Sequence, residues 1–235
     1  MLKIALTAGH YKHTAGKRIP ANLDKNQTRE WVLNDRICDK IEQKLKAYEG
    51  YELLRTDDTT GEKDISNTER IAKANKFGAD VYLSIHHNAG IGGGKGGGIV
   101  AYVYPKVDAV TKAWQKELYD ALIRHTGLKG NRATPLATGD FQVLRETKMP
   151  AVLLECGFMD SATDVPIILS EEYADKCAEA IVEVFVKRGG LQPKVKNTAL
   201  YLVQTGAFSI RENAEKQVKE LNSKGFDAII KQVEK

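Results

Sequence analysis

Four ionisable side chains interrupt apolar segments at positions suited to chemistry. His10 closes Thr7-Ala8-Gly9-His10, His86 and His87 lie in Ser84-Ile85-His86-His87-Asn88, and Glu155 directly follows Pro150-Ala151-Val152-Leu153-Leu154. Each apolar run has the length and composition of a strand, so these groups fall at the carboxyl ends of three strands, where open α/β sheets hold their sites. Glu30 comes from a helical pattern: it precedes Leu33 by three residues and Ile37 by seven, extending the buried stripe. A carboxylate in that position is costly unless something pairs with it. Two imidazoles and one carboxylate form the usual protein shell of a catalytic zinc, which keeps a fourth position open for water. Zinc lowers the pKa of that water from about 16 to about 7. A second carboxylate is then needed to take the water's proton and return it to a leaving group. Glu155, at the end of a buried strand, suits that role because burial raises a carboxyl pKa. On pattern alone, a single histidine at a strand end is more often a satisfied structural residue than a ligand, and a glutamate in a mostly apolar run can equally come from a strand read one residue out of step.

The elements that must position these groups alternate from the first residue to about residue 188. Strands are expected at Lys3–Thr7, Tyr51–Arg55, Val81–Ile85, Ile99–Val103 and Pro150–Leu154. Helices are expected at Trp31–Tyr48, Ser66–Phe77, Lys112–His125 and Ala174–Lys187, the second opening on a Ser66-x-x-Glu69 capping box. The Val81 and Ile99 strands are rich in β-branched residues and leucine, as strands covered on both faces are. Strands alternating with helices of this length imply an α/β fold: a mainly parallel twisted sheet with helices on both faces. Gly189-Gly190-Leu191-Gln192-Pro193 marks a boundary, with glycines closing a helix and a proline that cannot continue it. Beyond it, Ala199–Gln204 and Asp227–Val233 are expected as strands around a helix at Ile210–Ser223, a small βαβ module.

Composition narrows the function classes. With 42% hydrophobic and 28% charged residues, the 235-residue chain can bury a core and does not have the composition of a disordered protein. A net charge of +4, spread along the length, lacks the clustered basic stripe of a nucleic-acid binder. No run approaches the roughly 18 apolar residues that a membrane span requires. Met1-Leu2-Lys3-Ile4-Ala5-Leu6 is too short an apolar start for an export signal, so synthesis in the cytoplasm is expected. Cys38, Cys156 and Cys177 are odd in number and widely spaced, fitting apolar core positions better than a disulfide framework or a metal knuckle. The Gly90–Gly98 run has no Ser or Thr after Lys95 and is no phosphate loop. His13 is expected in a solvated loop and His125 as a charge at a helix end.

Several of these segments together resemble the zinc-dependent N-acetylmuramoyl-L-alanine amidases, the class of sporulation autolysins and phage endolysins. They are Leu6-Thr7-Ala8-Gly9-His10, Glu30 with Asn34, Leu54-Arg55-Thr56-Asp57-Asp58, Glu69-Arg70-Ile71-Ala72-Lys73-Ala74-Asn75, Ala79–Ala89, Val143-Leu144-Arg145 and Pro150–Phe158. The resemblance covers roughly residues 1–188 and implies His10, Glu30 and His86 as zinc ligands, with Glu155 as the catalytic carboxylate. His87 departs from the small residue usual there; alternation sends adjacent strand residues to opposite faces, and His86 is taken as the ligand. Arg145 is a tentative contact for a stem-peptide carboxylate, with a salt bridge on the rim as the competing reading. The expected reaction is hydrolysis of the amide between N-acetylmuramic acid and L-alanine in peptidoglycan. A zinc peptidase or deacetylase and a non-catalytic wall-binding protein are the alternatives.

The tail, Tyr201-Leu202-Val203-Gln204-Thr205-Gly206-Ala207-Phe208 with the helix after Asn213-Ala214, resembles half of a SPOR wall-binding module. The expected organisation is therefore a catalytic domain at 1–188, a linker at 189–198 and a half-module at 199–235. Pairing of the half-module with its twin in a homodimer is expected, because it would cover strand edges that proteins avoid exposing. Lacking an export signal, the enzyme would reach the cell wall only after release or lysis.

Overall fold

The computed structural model describes residues 1–90, 93–194 and 203–233. Two compact units are present, Met1–Lys194 and Val195–Lys235. The first begins with β1 (Leu2–Ala8), α1 (Glu30–Leu45), the short β2 (Tyr48–Glu49), β3 (Tyr51–Arg55), α2 (Asn67–Phe77) and β4 (Val81–Asn88). It continues with β5 (Ile99–Val103), α3 (Ala109–Thr126), β6 (Leu136–Thr138), α4 (Gln142–Arg145), β7 (Ala151–Phe158), α5 (Val165–Ile168), α6 (Glu171–Gly189) and β8 (Gln192–Pro193).

Six strands form one sheet in the order β3-β1-β4-β7-β5-β6. β3, β1, β4 and β7 run parallel, while β5 is antiparallel to β7. The sheet is thus mainly parallel, as expected, with one reversal. Its strands are apolar on both faces because helices cover both. Ile4, Leu6, Val81, Leu83, Val152 and Leu154 face a large core completed by α1, α3 and α6. Ala5, Tyr82, Ala151 and Leu153 face a smaller core closed by Ile71 and Ala74 of α2 and Val143 and Leu144 of α4. Cys38, Cys156 and Cys177 are buried free thiols.

Capping chemistry sets the helix limits. The Ser66 hydroxyl accepts a hydrogen bond from the Glu69 amide at 3.2 Å, and Gly78 closes α2 in the left-handed region at φ 68°. Asp108 caps α3 through the Thr111 amide, so that helix starts a turn before the expected Lys112. Ser170 does the same for α6 through Tyr173. The expected linker starts later than residue 189: Leu191 is buried in the large core and Gln192–Pro193 pairs with Tyr48–Glu49.

In the second unit, α7 (Arg211–Ser223) matches the expected helix. Asp227–Val233, expected as a strand, forms no ladder among the described residues. An extended segment becomes a strand only against a partner, and its expected neighbour, Ala199–Gln204, lies largely outside the described residues. No helix among the described residues is long and apolar enough to cross a membrane.

Candidate active site

β1, α1 and β4 each bring one side chain that could hold a metal to a single point at the carboxyl edge of the sheet. Ligand atoms of His10, Glu30 and His86 all lie within 4.8 Å of one another. Glu30, fully buried in the first turn of α1, is the centre: Oε2 is 3.3 Å from His10 Nε2 and Oε1 is 3.1 Å from His86 Nδ1. The two imidazoles meet edge to face, with centroids 5.0 Å apart. His10 Nε2 and Glu30 Oε2 are buried and, although ion-pair neighbours of each other and of Lys17, make no well-aligned hydrogen bond among the described residues. Orphaned buried polar atoms are rare in proteins, and a cation held between these two would satisfy both. Two imidazoles and a carboxylate are the donor set that catalytic zinc takes, so the residues present fit that ion.

Burial pushes the Glu30 carboxyl up, but the contacts from His10 and His86 outweigh it and hold the group well below its usual range. It is therefore ionised, as a ligand must be. Burial pulls His86 down, with Glu30 opposing it.

Glu155 is the register partner of His86 on the adjacent strand β7. Neighbouring parallel strands are about 4.8 Å apart and partners share a face, so the carboxylate stands beside the histidine. Its Oε2 is shielded from solvent and has no hydrogen-bond partner. Burial, then the negative charge of Glu30, pushes Glu155 up to about 8, while Lys17 acts the other way.

The remaining sequence candidates sort clearly. His87 points to the opposite face from His86, lies 2% exposed against α1, and is driven down to about 3 by burial. Arg145 is exposed on α4 and paired with Asp140 and Glu146. His13 is exposed near Glu62, and His125, in the last turn of α3, meets Glu183 at 2.8 Å. The glycine run is tied at its ends to the segment after β7: Gly90 donates to Asp160 and Gly98 to Asp164, each at 2.7 Å.

Three residues at the site were given no role by the sequence reading. Arg70, buried on α2, donates to the Thr7 hydroxyl, to the Ala8 carbonyl at 2.6 Å and to the His10 carbonyl at 2.9 Å. His10 sits in the left-handed region at φ 67°, a conformation uncommon for non-glycine residues, and Arg70 holds its carbonyl there. Lys17 places Nζ 3.4 Å from Glu30 Oε2. Asn34 lies fully buried one turn beyond Glu30; a polar residue on an apolar stripe was the available signal for it.

Comparison with known proteins identifies the family. Residues 4–186 match the family model of N-acetylmuramoyl-L-alanine amidase, and residues 197–235 match the SPOR domain. The chain is 32% identical over 232 residues to a sporulation-specific N-acetylmuramoyl-L-alanine amidase of Bacillus subtilis, covering 98% of this chain and 84% of that protein. It is 32% identical over 230 residues to the amidase CwlM of Bacillus licheniformis, covering 98% and 85%. Among solved structures, an N-acetylmuramoyl-L-alanine amidase from Clostridium difficile 630 superposes with a TM-score of 0.71 at 27% identity, over 79% of this chain and 95% of that one. The catalytic domain of CwlV from Bacillus (Paenibacillus) polymyxa gives 0.71 at 25%, over 82% and 100%. The chain belongs to the N-acetylmuramoyl-L-alanine amidase family, enzymes that hydrolyse the amide between N-acetylmuramic acid and L-alanine of peptidoglycan, and carries a SPOR domain at residues 197–235.

Proposed function

We propose that the chain performs this hydrolysis as a zinc enzyme, with His10, Glu30 and His86 holding the metal and Glu155 moving the proton. The observation that carries the proposal is the convergence of three ligand atoms within 4.8 Å beside an unpartnered carboxylate oxygen. Bound zinc would supply Lewis acidity, bringing the pKa of a coordinated water to about 7. The chain's own groups do the rest. Glu155 Oε2 takes the proton of the attacking water and delivers it to the departing alanine nitrogen, which leaves as an amine. Burial and the negative charge of Glu30 raise the Glu155 carboxyl above the ordinary range, which strengthens it as a base, and a bound cation would oppose that rise and keep it ionised to accept the proton. Lys17, partly exposed at the edge of Glu30, adds positive charge where acidic groups of a stem peptide would approach.

Two substitutions separate the roles. Glu155→Gln should retain zinc and lower turnover by about 100-fold or more, whereas His86→Ala should lose both. Metal content and digestion of purified walls read the two effects, and a Glu155→Gln enzyme that still clears walls contradicts the assignment.

The tail would anchor the enzyme to the bacterial wall, its place of action after release or lysis. Pairing of two chains through residues 199–235 is part of the proposal; Phe226, Ile229 and Val233 are 63%, 80% and 76% exposed, apolar surface that pairing would cover. Sedimentation of the full chain against a 1–194 truncation should show a dimer only for the former. A monomeric full chain at high concentration disproves the pairing.

A further inference from the structure

Behind the three ligand-bearing segments runs one buried chain of hydrogen bonds that touches each of them next to its ligand. Asn34, one helical turn from Glu30, donates from Nδ2 to the carbonyl of Gly9, the residue before His10, at 3.1 Å. Its Oδ1 meets His87 Nδ1, beside His86, at 2.8 Å. The His87 backbone amide then donates to Glu30 Oε1 at 3.3 Å. Asn34 is 0% and His87 2% exposed, so water does not compete for these bonds.

The chemistry fixes every proton in the chain. A peptide carbonyl only accepts, so the Asn34 atom facing Gly9 is its NH2 and the atom facing His87 is its oxygen. His87 must therefore carry its hydrogen on Nδ1. The connection runs from β4 through α1 to β1 without passing through the metal position.

We propose that Asn34 and His87 are positioning residues that preset the spacing of His10, Glu30 and His86 before a metal ion arrives. His87 aims one Glu30 oxygen toward β4 and leaves Oε2, 3.3 Å from His10 Nε2, for the ion. Asn34 holds the Gly9-His10 turn against α1. A buried polar network of this kind is fully effective only when each member is in place. The inference rests on the zinc reading above.

Zinc affinity of the metal-free protein, measured by competition with a chromophoric chelator, tests it, with folding checked by circular dichroism in the absence of metal. His87→Leu, which keeps bulk and removes the donor, should weaken zinc binding by about 10- to 100-fold. His87→Asn, whose amide nitrogen takes the place of Nδ1, should recover most of that loss. Asn34→Ala should weaken binding as His87→Leu does, and the double variant should be little worse than either, since the pair acts as one unit. A pair that merely stabilises the fold would lower the melting temperature and leave zinc affinity alone, and that result overturns the proposal. If His87→Leu does not fold, Asn34→Ala against His87→Asn makes the same comparison. A wild-type protein that binds no zinc instead refutes the metal reading itself, which distinguishes the two failures.

Discussion

At the scale of single residues, the site is built as much by what is absent as by its ligands. A Cβ on Gly9 would fall on the His86 ring; only glycine lets the end of β1 pass close enough for His10 and His86 to come together as the proposed zinc site requires. Gly9→Ala should therefore push His86 aside, costing about 1–3 kcal/mol of stability and most of the zinc affinity. Thermal unfolding and metal titration check this, and a variant that binds zinc normally contradicts the packing argument. His10, Glu30, His86 and Glu155 were legible in the sequence because each is a polar break in an apolar pattern. Arg70 was not, since an arginine in an amphipathic helix ordinarily faces water. Its burial depends on the carbonyls of Ala8 and His10, which converge only once β1 and α2 have packed together. Nor did local spacing decide between His86 and His87; the structure packs His87 against Asn34 of α1 and brings His86 together with His10 and Glu30.

At the scale of elements, periodicity and caps fixed most of what forms, because Ser66, Gly78 and the apolar stripes act within a few residues. Strand direction was not legible: β5 has the same pattern whether parallel or antiparallel, and β7 decides it by pairing. β6 and α4, of three and four residues, are too short for any period to emerge. The connection between β3 and α2 is organised by one side chain. Asp58 accepts from the amides of Thr60, Glu62 and Lys63 and from the Thr60 hydroxyl. The loop it shapes meets the His10 segment, where the Lys12 amide donates to the Gly61 carbonyl. The hydrogen bonds from Lys63 and Thr60 lower Asp58 from 3.8 to about 2. Because the folded pKa lies below the unfolded one, its stabilisation is complete above pH 3.8 and lost as pH falls toward 2. Asp58→Asn should thus be less stable than wild type at pH 7 and show a shallower loss of stability between pH 4 and 2. Denaturant unfolding across that range measures it, and parallel pH curves for the two proteins would show that the loop does not depend on this charge.

At the scale of the whole molecule, the catalytic unit and the SPOR domain divide the work of cutting and holding peptidoglycan. The catalytic unit closes its own cores and strand order. The SPOR-matching tail has a helix and no strand ladder among its described residues. The account as a whole stands on a metal-dependent cut at one amide. Mass spectrometry of purified sacculi digested by the full chain, with and without a chelator, tests this most directly. New free alanine amines should appear, vanish when the metal is removed and return when zinc is restored. Release that continues undiminished in excess chelator, or release of acetate in place of alanine amines, would contradict it.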